Sequence, residues 1–245
     1  MTRIGVAAAP GRARLLLTDG PIGARVLSTT ENGARVGLVA QTALLLGGDH
    51  IVIDIEVGPN AWLELVETAG TVIYDAAGVV SSWTVRVKVA EGGTLIWAGE
   101  PFVVSRGANV RRSTVIELGA GAVAFLRETL VLGRSGEIGG AVTSRMHVTH
   151  EGRLLLLEDL DLTEQQQRTL PGVIGGARVL DTVALLGRRA PALPVLPGGS
   201  RFELDGPGTL ARSLTAGLAG SALTQVRTSW QPEVHGATVS AATTP

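Results

Sequence analysis

The sequence predicts an all-β protein, a layered, β-helix-like domain of many short strands with a few helices near its C-terminus. Three observations predict it. From Ile51 to about Leu162, short apolar runs are broken by glycine-bearing turns at the spacing expected of an all-β domain. The runs are rich in Val, Ile, Leu and Thr, and many alternate: Ile51, Ile53, Ile55 and Val57 fall on one face, Val52, Asp54 and Glu56 on the other. A unit of roughly 30 residues also recurs, the size of one coil or one hairpin, and each such unit needs a neighbour to bury its apolar face.

In order along the chain, the first unit runs Ile53 to Val57, turns at Gly58-Pro59-Asn60 and continues Ala61 to Glu67. The second is Val85 to Val89, Glu91-Gly92-Gly93, Thr94 to Glu100. The third is Thr114 to Leu118, Gly119-Ala120-Gly121, Ala122 to Glu128, and the fourth Met146 to Thr149, Glu151-Gly152, Arg153 to Asp159. An acid stands seven positions after the last turn residue in each: Glu67, Glu100, Glu128 and Asp159. Each shares a face with an apolar residue two before it. Either these are polar strand ends, or stacked units align them as a ladder, which would need a partner or a metal because a lone buried carboxylate is costly. After Leu162 the polar stretch 163–168 suits one or two helical turns, Pro171-Gly172 and Gly175-Gly176 mark loops, and Val179 to Leu186 reads as a strand. Gly208 to Trp230 holds the best helix candidate, with Leu210, Leu214 and Leu218 four apart and Asp205 or Thr209 as cap. Residues 1–230 read as one β domain with a C-terminal helical segment, and 231–245 as a disordered tail.

Composition narrows the function. The 245 residues carry 21 basic and 22 acidic side chains, which argues against nucleic-acid binding. No cysteine is present, so disulfides, thiolate chemistry and cysteine zinc sites are excluded. No apolar stretch approaches the roughly 20 residues that span a bilayer, and the start of the chain lacks a signal-peptide pattern. The expected location is cytoplasmic. No G-x-S-x-G elbow or HExxH occurs, and the 3% aromatic content is poor for a carbohydrate enzyme built on paired acids.

Several residues invite sharper readings. Gly47-Gly48-Asp49 resembles a phosphate loop but lacks the Lys-Ser/Thr that such a loop needs, so a tight turn with Asp49 bonded to nearby backbone N–H groups explains it better. His147 and His150 lie three apart in a strand and so on opposite faces, unless a turn at Thr149 brings them together on a metal. Glu128, Arg134 and Glu137 flank a Gly133/Gly136 turn, either as an ion-paired clamp or as weak oxygen ligands for a passing metal. His235 falls in the predicted tail.

Three stretches together resemble the urease accessory protein D family, UreD. They are Leu44 to Asp49 followed by Val57-Gly58-Pro59-Asn60-Ala61; Trp97, Pro101-Phe102 and Gly107-Ala108; and Glu128 to Glu137 with its Gly133-Arg134 and Gly136-Glu137 pairs. The approach to Gly47, the Gly99-Glu100-Pro101 stretch and the C-terminal region depart from the family pattern. The resemblance implies a non-enzymatic scaffold with no tightly bound cofactor. It would bind a UreF-like protein and, through it, a UreG-like GTPase, and dock on apo-urease. Nickel would then pass transiently, by an internal passage for which Glu67, Glu100, Glu128, Glu137, Asp159, His147 and His150 are the candidate contacts. The alternatives are a structural β-scaffold with no metal role and a solenoid-type carbohydrate enzyme.

Overall fold

The computed structural model describes residues 1–192, 196, 198–221 and 223–233. Four strands precede the stretch where the alternation becomes regular: β1 (Thr2–Ala7), β2 (Arg14–Thr18), β3 (Ile22–Thr29) and β4 (Gly33–Ala40). Next come β5 (His50–Val57), β6 (Trp62–Glu67), β7 (Thr71–Ile73), β8 (Ser81–Val89), β9 (Thr94–Ala98), β10 (Phe102–Val104), β11 (Asn109–Leu118) and β12 (Val123–Leu132). The C-terminal part holds β13 (Ala141–His150), β14 (Arg153–Asp161), α1 (Gln165–Arg168), β15 (Val179–Leu186), β16 (Gly199–Glu203), β17 (Gly208–Thr215) and α2 (Leu223–Trp230).

The strands form two sheets, ordered β14-β13-β11-β8-β5-β1-β2 and β16-β17-β15-β12-β9-β6-β4-β3, with β7 and β10 pairing beside the far half of β12. The predicted repeat is a true coil. Strands β5, β8 and β11 of the first sheet each cross by a short turn into the second, and the chain returns by a longer loop, so that equivalent strands stack in parallel. Trp62 pairs with Thr94, 32 residues on, and Thr94 with Val123, 29 residues on. The same two steps appear in the first sheet, where Ile53 pairs with Val85 and Val85 with Thr114.

Alternation then decides the core. Ile53, Ile55, Val85, Val87 and Ile116 of one sheet meet Leu63, Leu65, Leu95, Ala124 and Leu126 of the other, all in one buried cluster. Each large aliphatic side chain removed from water there contributes about 1.5–3 kcal/mol. On the outer face of the second sheet, Leu223, Val226 and Trp230 of α2 cover Phe125, Val183, Leu185 and Ala211 as a second cluster. Asp181, fully buried under this cover, accepts from Arg127 Nε at 3.1 Å and Nη2 at 2.8 Å, from Thr129 Oγ1 at 3.0 Å and from Ser221 Oγ at 2.6 Å.

Two expectations need correction. The fourth unit does not stack as a coil: after Glu151 and Gly152, both at positive φ, β14 returns antiparallel to β13 within the same sheet. A short turn lets a strand either cross to the other sheet or double back, and turn residues alone do not distinguish the two. The helix expected from Gly208 begins only at Leu223, because Gly208–Thr215 is β17. Leu210 and Leu214 also share strand parity, so a spacing of four fits both structures. The 165–168 turn and the 179–186 strand occur as expected, whereas residues 234–245, including His235, lie outside the described residues.

Candidate functional site

Parity sends a set of charged groups into the otherwise apolar space between the sheets. Leu63 and Leu65 of β6 face inward and so does Glu67. On β11, Val110, Ile116 and Leu118 face inward, and Arg112 and Thr114 share their parity. Glu128 lies between the inward Leu126 and Leu130 of β12, and Glu158 between Leu156 and Leu160 of β14.

Glu67 is held from two sides. Trp97 Nε1 donates to its Oε1 at 2.7 Å, and the Glu100 backbone N–H donates to its Oε2 at 3.0 Å. Burial nevertheless pushes its carboxyl above the ordinary 4.5, against those donors and the Arg112 charge. Gly99 makes the seat: a Cβ there would stand 3.4 Å from Glu67 Oε1 and 3.0 Å from Arg127 O. Extending the register places Glu67, Gly99 and Glu128 in one row, so the two carboxylates stand two strand spacings, roughly 10 Å, apart.

Arg112 crosses from the first sheet to meet Glu128 through Nη2, with only 13% and 23% of the two side chains exposed. Its Cζ lies 5.3 Å from the centre of the Phe102 ring, within cation–π range. Its Nε is buried and has no hydrogen-bond partner. Beyond it, Arg212 grips Glu158 from the second sheet at 2.6 and 2.9 Å, and its Nε donates to Thr182 at 3.2 Å.

Three voids follow this line. One of about 260 Å³ opens beside Ile22, Leu38 and Thr42 and has Glu67 and Trp83 in its wall. The next, about 40 Å³, lies between Glu67 and the Arg112–Glu128 pair. The third, about 30 Å³, lies between that pair and Arg212–Glu158. The two small voids are sized for a water or a partly dehydrated ion. A larger trough of about 1090 Å³ lies over the outer face of the first sheet, where Lys88 and Glu117 pair at 3.5 Å in solvent. It gathers none of the predicted carboxylates.

The predicted residues therefore separate. Glu67 and Glu128 share the interior row. Glu100 is exposed and one position late, because the turn before β9 is one residue shorter than the others, counted from its last turn residue to the paired strand: Asn60 to Trp62, Gly93 to Thr94, Gly121 to Val123. Asp159 is on the outer face of the first sheet, paired with Arg145. His147 faces the outer trough and His150 the opposite side of β13, which stays regular against β11 through both, so no turn joins them. Among the described residues no three His, Cys, Asp or Glu side chains gather in metal-binding geometry.

The Gly133–Glu137 turn forms a clamp without Glu128. Arg134 Nε and Nη2 donate to Glu137 Oε1 at 3.0 and 2.6 Å, and Oε2 accepts from the Arg134 and Arg106 backbone N–H groups. These donors hold the Glu137 carboxyl down to about 2. Gly133 is at φ +83°, and a Cβ there would strike Glu137 O at 2.5 Å. Asp49 caps its own tight turn, accepting from Leu46 N–H at 3.0 Å, and a Cβ on Gly47 would meet Ala76 O at 2.7 Å; Gly48 and Gly136 sit at positive φ. These motifs shape the long-loop end of the coils. Arg112, Glu158 and Arg212 went unread in the sequence, although each is a charge standing at apolar parity, which was the available signal.

Two sheets of stacked coils closed over a row of carboxylate and guanidinium groups define a β-solenoid scaffold with a charged interior. The profile of the UreD urease accessory protein family matches residues 3–241. Similar proteins include urease accessory protein UreD 1 of Streptomyces griseus, 45% identical over 82% of this chain and 78% of its own. UreD 1 of Saccharopolyspora erythraea is 38% identical over 78% and 76%, and UreD of Mesorhizobium japonicum 31% over 89% and 83%. The chain belongs to the UreD urease accessory protein family.

Proposed function

We propose that this chain is a non-catalytic maturation factor that joins UreF-like and UreG-like partners on apo-urease in the cytoplasm. Nickel, as cargo, crosses it between the two sheets, met in passing by Glu67 and Glu128. The observation that carries the reading is the line of three voids with both carboxylates in its walls. Carboxylates hold nickel more weakly than imidazole or thiolate sets, which suits a group that must release its ion. For docking, the long-loop end offers Leu46, Val79 and Ile138, each about half exposed or more, as apolar contacts for a partner.

Glu67→Gln and Glu128→Gln test the passage while keeping side-chain shape. Each variant is expected to co-purify with the partners and urease as the wild type does, yet to yield urease with less nickel, and the double variant less still. Normal nickel content in the double variant overturns the passage. A wild-type chain that never co-purifies with urease subunits or a GTPase overturns the scaffold role itself.

A further inference from the structure

We infer that Arg112 is the plug of the interior row, an internal cation that keeps the passage shut until a divalent ion takes Glu128 from it. The inference rests on the passage proposed above and adds how it is closed and what opens it.

Four observations carry it. Arg112 and Glu128 line both small voids, so their ion pair is the partition between them. Glu67 lines one of these voids together with Arg112, so the guanidinium and the second carboxylate of the row share one space. Its Nε is buried without a partner in the protein, whereas Arg212, the arginine of the next pair along the row, uses Nε, Nη1 and Nη2. Finally, the Phe102 ring and the neighbouring void give the guanidinium a face and a space on the Glu67 side.

The chemistry of the group sets the opening rule. A guanidinium does not lose its proton in a protein, so Arg112 cannot be neutralised out of the way. It leaves Glu128 only by displacement. A monovalent ion with a firm hydration shell competes poorly for a carboxylate already bonded to a guanidinium, whereas a divalent ion that binds the oxygens directly competes well. The released side chain finds Glu67, the second carboxylate of the row, on its other side. The plug therefore selects for charge at the cost of a tight resting site, because the arginine and the metal want the same oxygens.

Direct nickel binding to the full-length chain tests this, measured by calorimetry with Ni²⁺ alone as probe. Arg112→Met is expected to bind Ni²⁺ at least tenfold more tightly than the wild type, because Glu128 is unmasked. Arg112→Met combined with Glu128→Gln is expected to lose that gain. An Arg112→Met affinity equal to that of the wild type overturns the plug. Where that variant does not fold, crystals of the wild type soaked in nickel decide: metal at Glu128 with Arg112 turned away supports the plug, and metal in the row with the ion pair intact overturns it. If Glu67→Gln and Glu128→Gln lower nickel loading but Arg112→Met leaves affinity unchanged, the passage stands and only the plug fails. If those two variants load urease normally, the passage fails and the plug with it.

Discussion

The two faces of β12 treat charge in opposite ways. Arg127 and Thr129 point outward and, with Ser221, supply every donor that Asp181 needs beneath α2. Glu128, between them in sequence, points inward to a single arginine whose buried Nε has no partner in the protein, and a void lies on either side of the pair. A buried carboxylate bonded on all sides stiffens the sheet that it joins. One bonded incompletely beside empty space retains the freedom to change partner. One strand thus contributes a structural bond and an exchangeable one at consecutive positions.

The largest expected effect falls on the outward face. Asp181→Ala leaves Arg127 without its counter-charge under the α2 cover, and chemical denaturation should show a loss of about 3–5 kcal/mol. Glu128→Gln keeps the shape and one acceptor, so its loss should be roughly 1–2 kcal/mol. If the two variants lose the same amount, the contrast between the faces is broken. Glu67→Gln sharpens it through pH. Burial raises the Glu67 carboxyl above 4.5, so its folded state favours the protonated form. Its contribution is complete below the unfolded value near 4.5 and is lost as pH rises through the folded one. Glu67→Gln should therefore gain stability relative to the wild type as pH rises from 4 to 7, and a pH-independent difference contradicts the burial.

The smallest effect belongs to the loop clamp. Arg134 is 58% exposed, and Arg134→Ala should move the denaturation midpoint less than any of the interior variants. The Glu137 carboxyl is depressed from 4.5 to about 2, so what the clamp contributes is present above 4.5 and disappears as pH falls through 2. Wild type and Arg134→Ala should converge there.

Much of this was legible in the chain. Alternation through Ile51–Val57 and the glycine turns announced coils, and one offset found both Glu67 and Glu128. The same offset misplaced Glu100, because counting from the turn cannot see a turn that is one residue shorter; only pairing can. Asp159 was misplaced because Glu151-Gly152 permits a reversal as readily as a crossing. Leu210 and Leu214 satisfied two periods at once. Arg112 was readable by parity between Val110 and Thr114, but a charge at an apolar position shows its meaning only once Glu128 stands opposite.

The antiparallel strands at the margins have one more consequence. Both sheets end on strands that run against their neighbours: β2 and β14 in the first, β3 and β16 in the second. A second molecule that joined either sheet would meet a strand running against the parallel stack, and charged side chains such as Arg25, Asp159 and Glu203 stand on those margins. Parallel solenoids left open at their ends are templates for fibres. Here the repeat lies inside its own reversals, so duplication of a coil within the chain would lengthen the protein between margins that keep their charged, reversed strands.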